Sequence, residues 1–193
     1  EPDSTRAACA RALGLEIFEG VLTPDACQQL GQFDVVVFAD VIEHLPDPLA
    51  LLQLSRRLLR PGGFLVVSVP NVAHWTVRLS LLKGHFDYAP VGIMDATHLR
   101  WFTARTLEQL LTAAGFELEL RSLSAGLEWY AQWRPWWRIP TAWRRRLILS
   151  LAKRWPQMWA YQYIVKAAPS HTSSSLEEVS HPSTVIPWVT ICL

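Results

Sequence analysis

Two short clusters carry most of the ionisable chemistry of this chain: Asp40, Glu43 and His44 within five residues, and Asp95, His98 and Arg100 within six. An imidazole is the side chain best poised to take a proton near neutral pH, so His44 is either the candidate general base or a substrate contact, or else a polar residue at a helix start, with Glu43 beside it and His98 as a second imidazole. Asp40, Glu43 and His44 also make a ligand set for a divalent cation. Carboxylates at a helix start more commonly answer the helix dipole, so a divalent metal is the less favoured reading. In the second cluster, either His98 and Arg100 contact an acceptor, or His98 and Asp95 pair with each other or with backbone to hold a loop.

The elements that must position these groups are legible around them. Phe33 to Phe38 is an apolar, β-branched run without alternation, which suits a strand buried on both faces of a parallel sheet. Leu45-Pro46-Asp47-Pro48 opens a helix with an apolar face of Leu49, Leu51, Leu52, Leu58 and Leu59, and Pro61-Gly62-Gly63 stops it. Phe64 to Val69 is a second buried run, so the unit is βαβ with a right-handed crossover. In open parallel sheets ligands bind beyond the carboxyl ends of the strands. That rule puts Ala39 to His44 after one strand, and Pro70-Asn71 after the next, at the expected cleft, with His74 and Arg78 on one side of the helix that follows.

Length and composition set the outer bounds. The 193 residues hold one ordinary domain with some excess, and half of them are apolar. A net charge of +1 offers no field for nucleic acid, so no nucleic-acid partner is expected. Three Cys without CxxC spacing argue against a disulfide framework or a zinc site, and a reducing, cytoplasmic setting follows by default. No apolar stretch reaches the roughly 18–20 residues of a membrane span.

The runs FDVVVFADVIEHLPDP, LLRPGGFLVVSVPN, HWTVRLSLL, DATHLRWFT and LLTAAGF, in that order, resemble the second half of a class I S-adenosylmethionine-dependent methyltransferase. The flavour is that of ubiquinone-type and polysaccharide-cluster O-methyltransferases. The resemblance covers roughly residues 1–168 and implies an α/β, Rossmann-like three-layer sandwich, mostly parallel, with an antiparallel edge strand at Tyr161 to Ala167. It implies S-adenosylmethionine as cofactor and a small-molecule or saccharide acceptor. Together with the reading of the residues, it leads to Glu1, Val21, Leu22, Ala39 and Asp40 as expected cofactor contacts, Glu43, His44 and His98 as expected catalytic groups, and Asn71, His74, Arg78 and Arg100 as expected acceptor contacts. Asp40-x-x-Glu43-His44 also resembles the pattern by which some quinone O-methyltransferases are thought to hold a cation. No GxGxG occurs, so the family's first strand and glycine-rich loop are expected upstream of Glu1, which would leave one edge of the strand Phe33 to Phe38 unpaired. The alternative to an enzyme is a degenerate, non-catalytic domain that scaffolds a fused glycosyltransferase.

The remaining elements follow in order. Ser4 to Leu13 reads as a helix, Leu15 to Phe18 as a short strand and Thr23-Pro24-Asp25 as the cap of a second helix. Val72 to Leu82 reads as a helix showing Trp75, Leu79 and Leu82 on one side. After it comes a lid-like loop to Thr103, which caps Ala104 to Ala114, and then a strand from Phe116 to Ser122. The insert 128–159 carries seven Trp and seven Arg or Lys against the single acid Glu128. It packs on the sheet edge, the favoured reading because Pro135, Pro140 and Pro156 break helical periodicity, or it rests peripherally on an anionic membrane. Residues 169–182 read as a linker. Residues 183–193, STVIPWVTICL, either resemble the first strand of a family 2 glycosyltransferase or form a tail.

Overall fold

A computed structural model describes residues 4–18, 20–126, 140–170 and 188–191. The βαβ unit forms as its residue pattern dictates. Strand β1 (Phe33–Ala39) and strand β2 (Leu59–Pro70) pair in parallel from Val35↔Phe64 to Ala39↔Ser68. Between them lies a helix, Pro48–Ser55, whose cap Asp47 accepts from the Ala50 amide at 3.0 Å. Pro61-Gly62-Gly63 falls inside β2 rather than ending the helix, which a 3-10 turn at Arg56–Leu58 already does. The Gly pair serves the strand: a Cβ on Gly63 would lie 3.0 Å from the carbonyl oxygens of Arg60 and Asp34, so only Gly lets the two strands meet.

We number the helices α1 (Ser4–Ala12), α2 (Pro24–Leu30), α3 (Pro48–Ser55), α4 (Trp75–Leu82), α5 (Ala104–Ala113), α6 (Thr141–Arg154) and α7 (Pro156–Trp159). The remaining strands are β3 (Phe116–Ser124), β4 (Gln162–Pro169) and β5 (Trp188–Ile191), giving the sheet order β3-β4-β2-β1-β5. Four strands run one way and β4 runs against them. The antiparallel strand therefore sits one place in from the edge rather than on it. Residue patterns explain the exchange: β4 buries Tyr163, Val165 and Ala167 in alternation, whereas β3 leaves Glu117, Glu119, Leu120 and Arg121 exposed, as an edge strand can.

The main core lies on one face of the sheet. Cys27 of α2, Leu52 of α3, and Leu107 and Leu111 of α5 pack on Val36, Phe38, Leu65, Val67 and Val69. The alternate residues Val35, Val37, Phe64 and Val66 are only half-buried, so the two-faced burial expected of these strands is realised fully on one face. A smaller cluster of Ala125, Ile148 and Ala152 packs with Trp75, Leu123, Leu149 and Trp159.

Three further expectations change. Residues 15–18 form no strand, because no described neighbour offers them a ladder, and Leu15 is exposed. The edge of β1 is not bare: backbone pairing Val35↔Trp188 through Phe38↔Ile191 lays β5 along it in parallel, while the rest of the stretch 183–193 lies outside the described residues. Helix α4 starts at Trp75 and turns Val77 inward, leaving Leu79 and Leu82 exposed. Thr103 caps α5 with the reciprocal Thr103/Thr106 box, as its position suggests. Among the described residues, no helix is long and apolar enough to cross a membrane.

Candidate functional site

At the carboxyl end of β1 the chain leaves the sheet through Asp40, whose φ of 53° is the one positive value at a non-glycine residue among those described. The conformation is held from both neighbouring strands. The Asp40 amide donates to Ser68 Oγ at 3.1 Å, Ser68 Oγ donates to the carboxylate at 2.9 Å, and Gln162 Nε2 reaches both carboxylate oxygens at 3.0 and 2.8 Å. These partners are neutral, and the carboxylate is exposed at the mouth of the cleft. The ligand atoms that gather with those of Glu43 and His44 come from His98, and Asp40 is not in that group.

The turn Ile42–His44 then carries Glu43 inward and leaves His44 half-buried. The loop bearing the second cluster is stitched to it: the Glu43 carbonyl accepts from the Leu99 and Arg100 amides at 2.8 and 2.9 Å. This stitch brings His98 against His44, rings edge to face with centroids 4.8 Å apart. One ligand-capable atom from each of Glu43, His44 and His98 lies within 4.8 Å of the others. Glu43 is 1% exposed and neither carboxylate oxygen has a hydrogen-bond partner among the described residues. Burial, with the negative charge of Asp40 adding, raises its pKa from 4.5 to about 7 against the opposing pull of its own backbone amide, which lies near the carboxylate without making a well-formed hydrogen bond to it.

The hydrogen bonds also select the tautomers. His44 Nδ1 lies 3.3 Å from the Thr97 carbonyl, which can only accept, and 3.1 Å from Thr97 Oγ1, which already gives its proton to Asp95 Oδ1 at 2.6 Å. Nδ1 therefore donates, and the lone pair of His44 is on Nε2. The Ile93 carbonyl, 3.1 Å from His98 Nδ1, fixes His98 in the same tautomer. Burial lowers the pKa of His98 despite that bond. The Thr97 hydroxyl and amide hold Asp95 below its ordinary value. Asp95 thus anchors Thr97 rather than pairing with His98.

The other expected site residues scatter. Asn71 is fully buried: its Nδ2 donates to the Ala160 and Gln157 carbonyls at 2.8 and 3.2 Å, and its Oδ1 accepts from Ala73. It ties the end of β2 to α7 and is not offered to an acceptor. His74 is also fully buried, at 2.8 Å from Thr76 Oγ1 and between the rings of Trp75 and Tyr161, and burial lowers its pKa to about 4. It is a core histidine in this fold. Arg100 donates to the Pro46 carbonyl at 2.6 Å and holds the loop. Arg78, braced on the Ala73 carbonyl, lines a cavity of about 590 Å³ with Arg154, Trp155, Met158 and Trp159. Ala39 and Val21 are exposed, Leu22 packs on the core, and Glu1 lies outside the described residues. A second cavity of about 260 Å³ lies between α2 and Arg57, at the amino ends of the strands and so away from the cleft.

Sequence reasoning missed Ser68, Thr97 and Gln162. Each left a trace: Ser68 is the one polar residue in the apolar run of β2, Thr97 stands between Asp95 and His98, and Gln162 between Tyr161 and Tyr163.

Residues 6–120 match the model of a family described as "Methyltransferase domain". Among curated proteins, the chain is 34% identical over 111 residues to a ubiquinone biosynthesis O-methyltransferase of Ruegeria pomeroyi, and 31% identical over 109 residues to one of Xanthomonas oryzae. Each alignment covers 56% of this chain and 44% of the relative, so the chain spans about half the length of the curated relatives it matches. The fold is shared with solved structures. An S-adenosylmethionine-dependent methyltransferase of Thermotoga maritima, titled a possible histamine N-methyltransferase, matches with a TM-score of 0.53 at 15% identity, over 86% of this chain and 70% of that one. A methyltransferase of Archaeoglobus fulgidus matches with 0.52 at 15% identity, over 86% and 73%.

Proposed function

The chain belongs to the family of methyltransferase domains, and on that premise we propose that it forms the acceptor side of an S-adenosylmethionine-dependent O-methyltransferase acting on a small molecule or saccharide. One observation carries the reading: His44, with Nδ1–H committed to Thr97 and its Nε2 lone pair available, stands beside the buried Glu43 at the carboxyl end of β1. The residues present fit a cationic donor, since Asp40 holds an exposed carboxylate there with only neutral partners. When bound, S-adenosylmethionine would supply an electrophilic methyl group on a sulfonium, which an acceptor oxygen takes in line as the neutral thioether leaves.

His44 Nε2 takes the proton of the acceptor hydroxyl. The imidazolium that forms is stabilised by the Asp95–Thr97 chain on its Nδ1 side and by the carboxylate of Glu43. A Glu43 that titrates near neutral pH can share that proton. Holding acceptor and base in one orientation supplies the rest of the rate, since a methyl displacement asks mainly for alignment.

The same cluster favours a second reading. An orphaned buried carboxylate with two imidazole lone pairs suits a divalent cation, in the set Glu43, His44 and His98 rather than Asp40, Glu43 and His44. A cation there would orient the acceptor oxygen. Tritium-labelled methyl transfer to a panel of diphenols and hydroxylated saccharides, with and without chelator, tests both readings. Label in an acceptor supports the enzyme, and its loss with chelator favours the cation. Absence of transfer to every acceptor would leave the non-catalytic scaffold.

A further inference from the structure

Helix α6 carries apolar residues on two faces, and the fold uses only one. Ile148 and Ala152, four residues apart, are buried in the smaller core beneath Ala125. On another face, Trp143 and Leu147 are also four apart and stand 73% and 45% exposed. Trp155, at the junction of α6 and α7, and Met158 on α7 are likewise 53% and 43% exposed. Of the three prolines that argued against a helix, Pro135 lies outside the described residues and the other two do not interrupt one. Pro140 precedes the first turn of α6 and Pro156 opens α7, so 14 residues run unbroken between them.

The charges around this face have one sign. Residues 140–161 hold five of the 18 Lys and Arg of the chain, Arg144, Arg145, Arg146, Lys153 and Arg154, and none of its 17 Asp and Glu. Arg146 and Lys153 are seven residues apart, so they flank the exposed stripe on one side, with Arg144 on the other. The Arg154 guanidinium lies 5.7 Å from the Trp155 ring centroid. The 590 Å³ cavity between α4 and α7 opens among Arg78, Arg154, Trp155 and Met158. Exposed Trp beside Arg, in a segment whose own sequence holds no Asp or Glu, is the chemistry of a surface that is anionic and apolar within a few ångströms of depth.

We propose that the α6–α7 face docks the domain onto an anionic lipid bilayer, with Trp143, Leu147, Trp155 and Met158 entering the interface and Arg146, Lys153 and Arg154 meeting lipid phosphates. The docking is independent of the methyl-transfer reading. An acidic protein partner would need no row of exposed Trp and Leu, and a purely apolar partner no one-signed rim.

The test is sedimentation of the full chain with vesicles of phosphatidylglycerol and phosphatidylcholine, against vesicles of phosphatidylcholine alone. Binding to the anionic vesicles only, with release at about 0.5 M salt, is expected. Arg146→Glu with Lys153→Glu should lower the partition coefficient roughly 25-fold or more, about fivefold for each basic residue lost. Trp143→Ser with Leu147→Ser should lower it at least about tenfold, the burial of two large apolar side chains being removed. All four side chains are exposed, and unchanged circular dichroism and melting show that the variants fold. Equal recovery in the supernatant with and without vesicles overturns the proposal. So does equal binding to both vesicle types, wild-type binding by both variants, a dimer that disperses with Trp143→Ser, or competition by RNA that abolishes vesicle binding.

Discussion

Replacing His74 with Phe separates a core histidine from an acceptor contact. His74 is fully buried between Trp75 and Tyr161, and its pKa falls from 6.5 to about 4 because burial disfavours the imidazolium. A depressed histidine is protonated more readily in the unfolded chain than in the folded one. Its contribution to stability is therefore intact above pH 6.5 and is lost as the pH falls toward about 4. At pH 5 the loss works out at about 2 kcal/mol, and it approaches about 3 kcal/mol below pH 4. For a domain of this size about 2 kcal/mol moves the melting temperature by roughly 4–8 °C. Phe keeps the ring contacts, gives up the Thr76 hydrogen bond and cannot titrate. Calorimetry at pH 7.5 and pH 5 should show the wild type losing about 2 kcal/mol more than His74→Phe on acidification, while methyl transfer at pH 7.5 is unchanged in proportion to folded protein. Parallel stability curves for the two proteins, or a His74→Phe variant that folds and has lost turnover, would refute the reasoning.

Three further outcomes are expected. Gly63→Ala puts a Cβ 3.0 Å from two carbonyl oxygens between β1 and β2 and should cost about 1–3 kcal/mol in urea unfolding. Asn71→Ala strands the Ala160 and Gln157 carbonyls and the Ala73 amide, so a loss of about 2–3 kcal/mol and faster proteolysis near α7 are expected. With chelator present, Glu43→Gln should melt higher than the wild type at pH 8.5 and show little gain at pH 5. A carboxylate with a raised pKa costs stability only as the pH rises from 4.5 through about 7. Thermal shifts across that window check it, and a pH-independent difference would contradict the buried, unpartnered acid.

How much of this was legible in the residues depends on the range of the forces involved. β1, α3 and α5 follow from local pattern: a β-branched run, an Asp47-Pro48 start and a Thr103 cap. The approach of His44 and His98 was readable only as two separate clusters. What joins them is a pair of backbone amides, of Leu99 and Arg100, on the Glu43 carbonyl, and backbone groups have no residue code. The burial of His74 and Asn71 was hidden for the same reason, since polar residues past a strand end look alike whether they face solvent or latch a neighbouring helix. Strand order was beyond local pattern too. β4 lies inside β3 because its alternate residues are buried, and that is a property of the neighbours it meets. The basic, Trp-rich stretch was visible by composition, but only the structure shows which of its apolar residues the core leaves outside.

The central claim is that His44, oriented by Thr97 and Asp95, removes the proton of the acceptor. It is tested most directly by His44→Ala in single-turnover methyl transfer, with cofactor affinity measured on the same preparation. The account predicts a rate lower by about two orders of magnitude or more with cofactor affinity nearly unchanged. A rate within about twofold of the wild type would contradict it, as general base catalysis contributes far more than that.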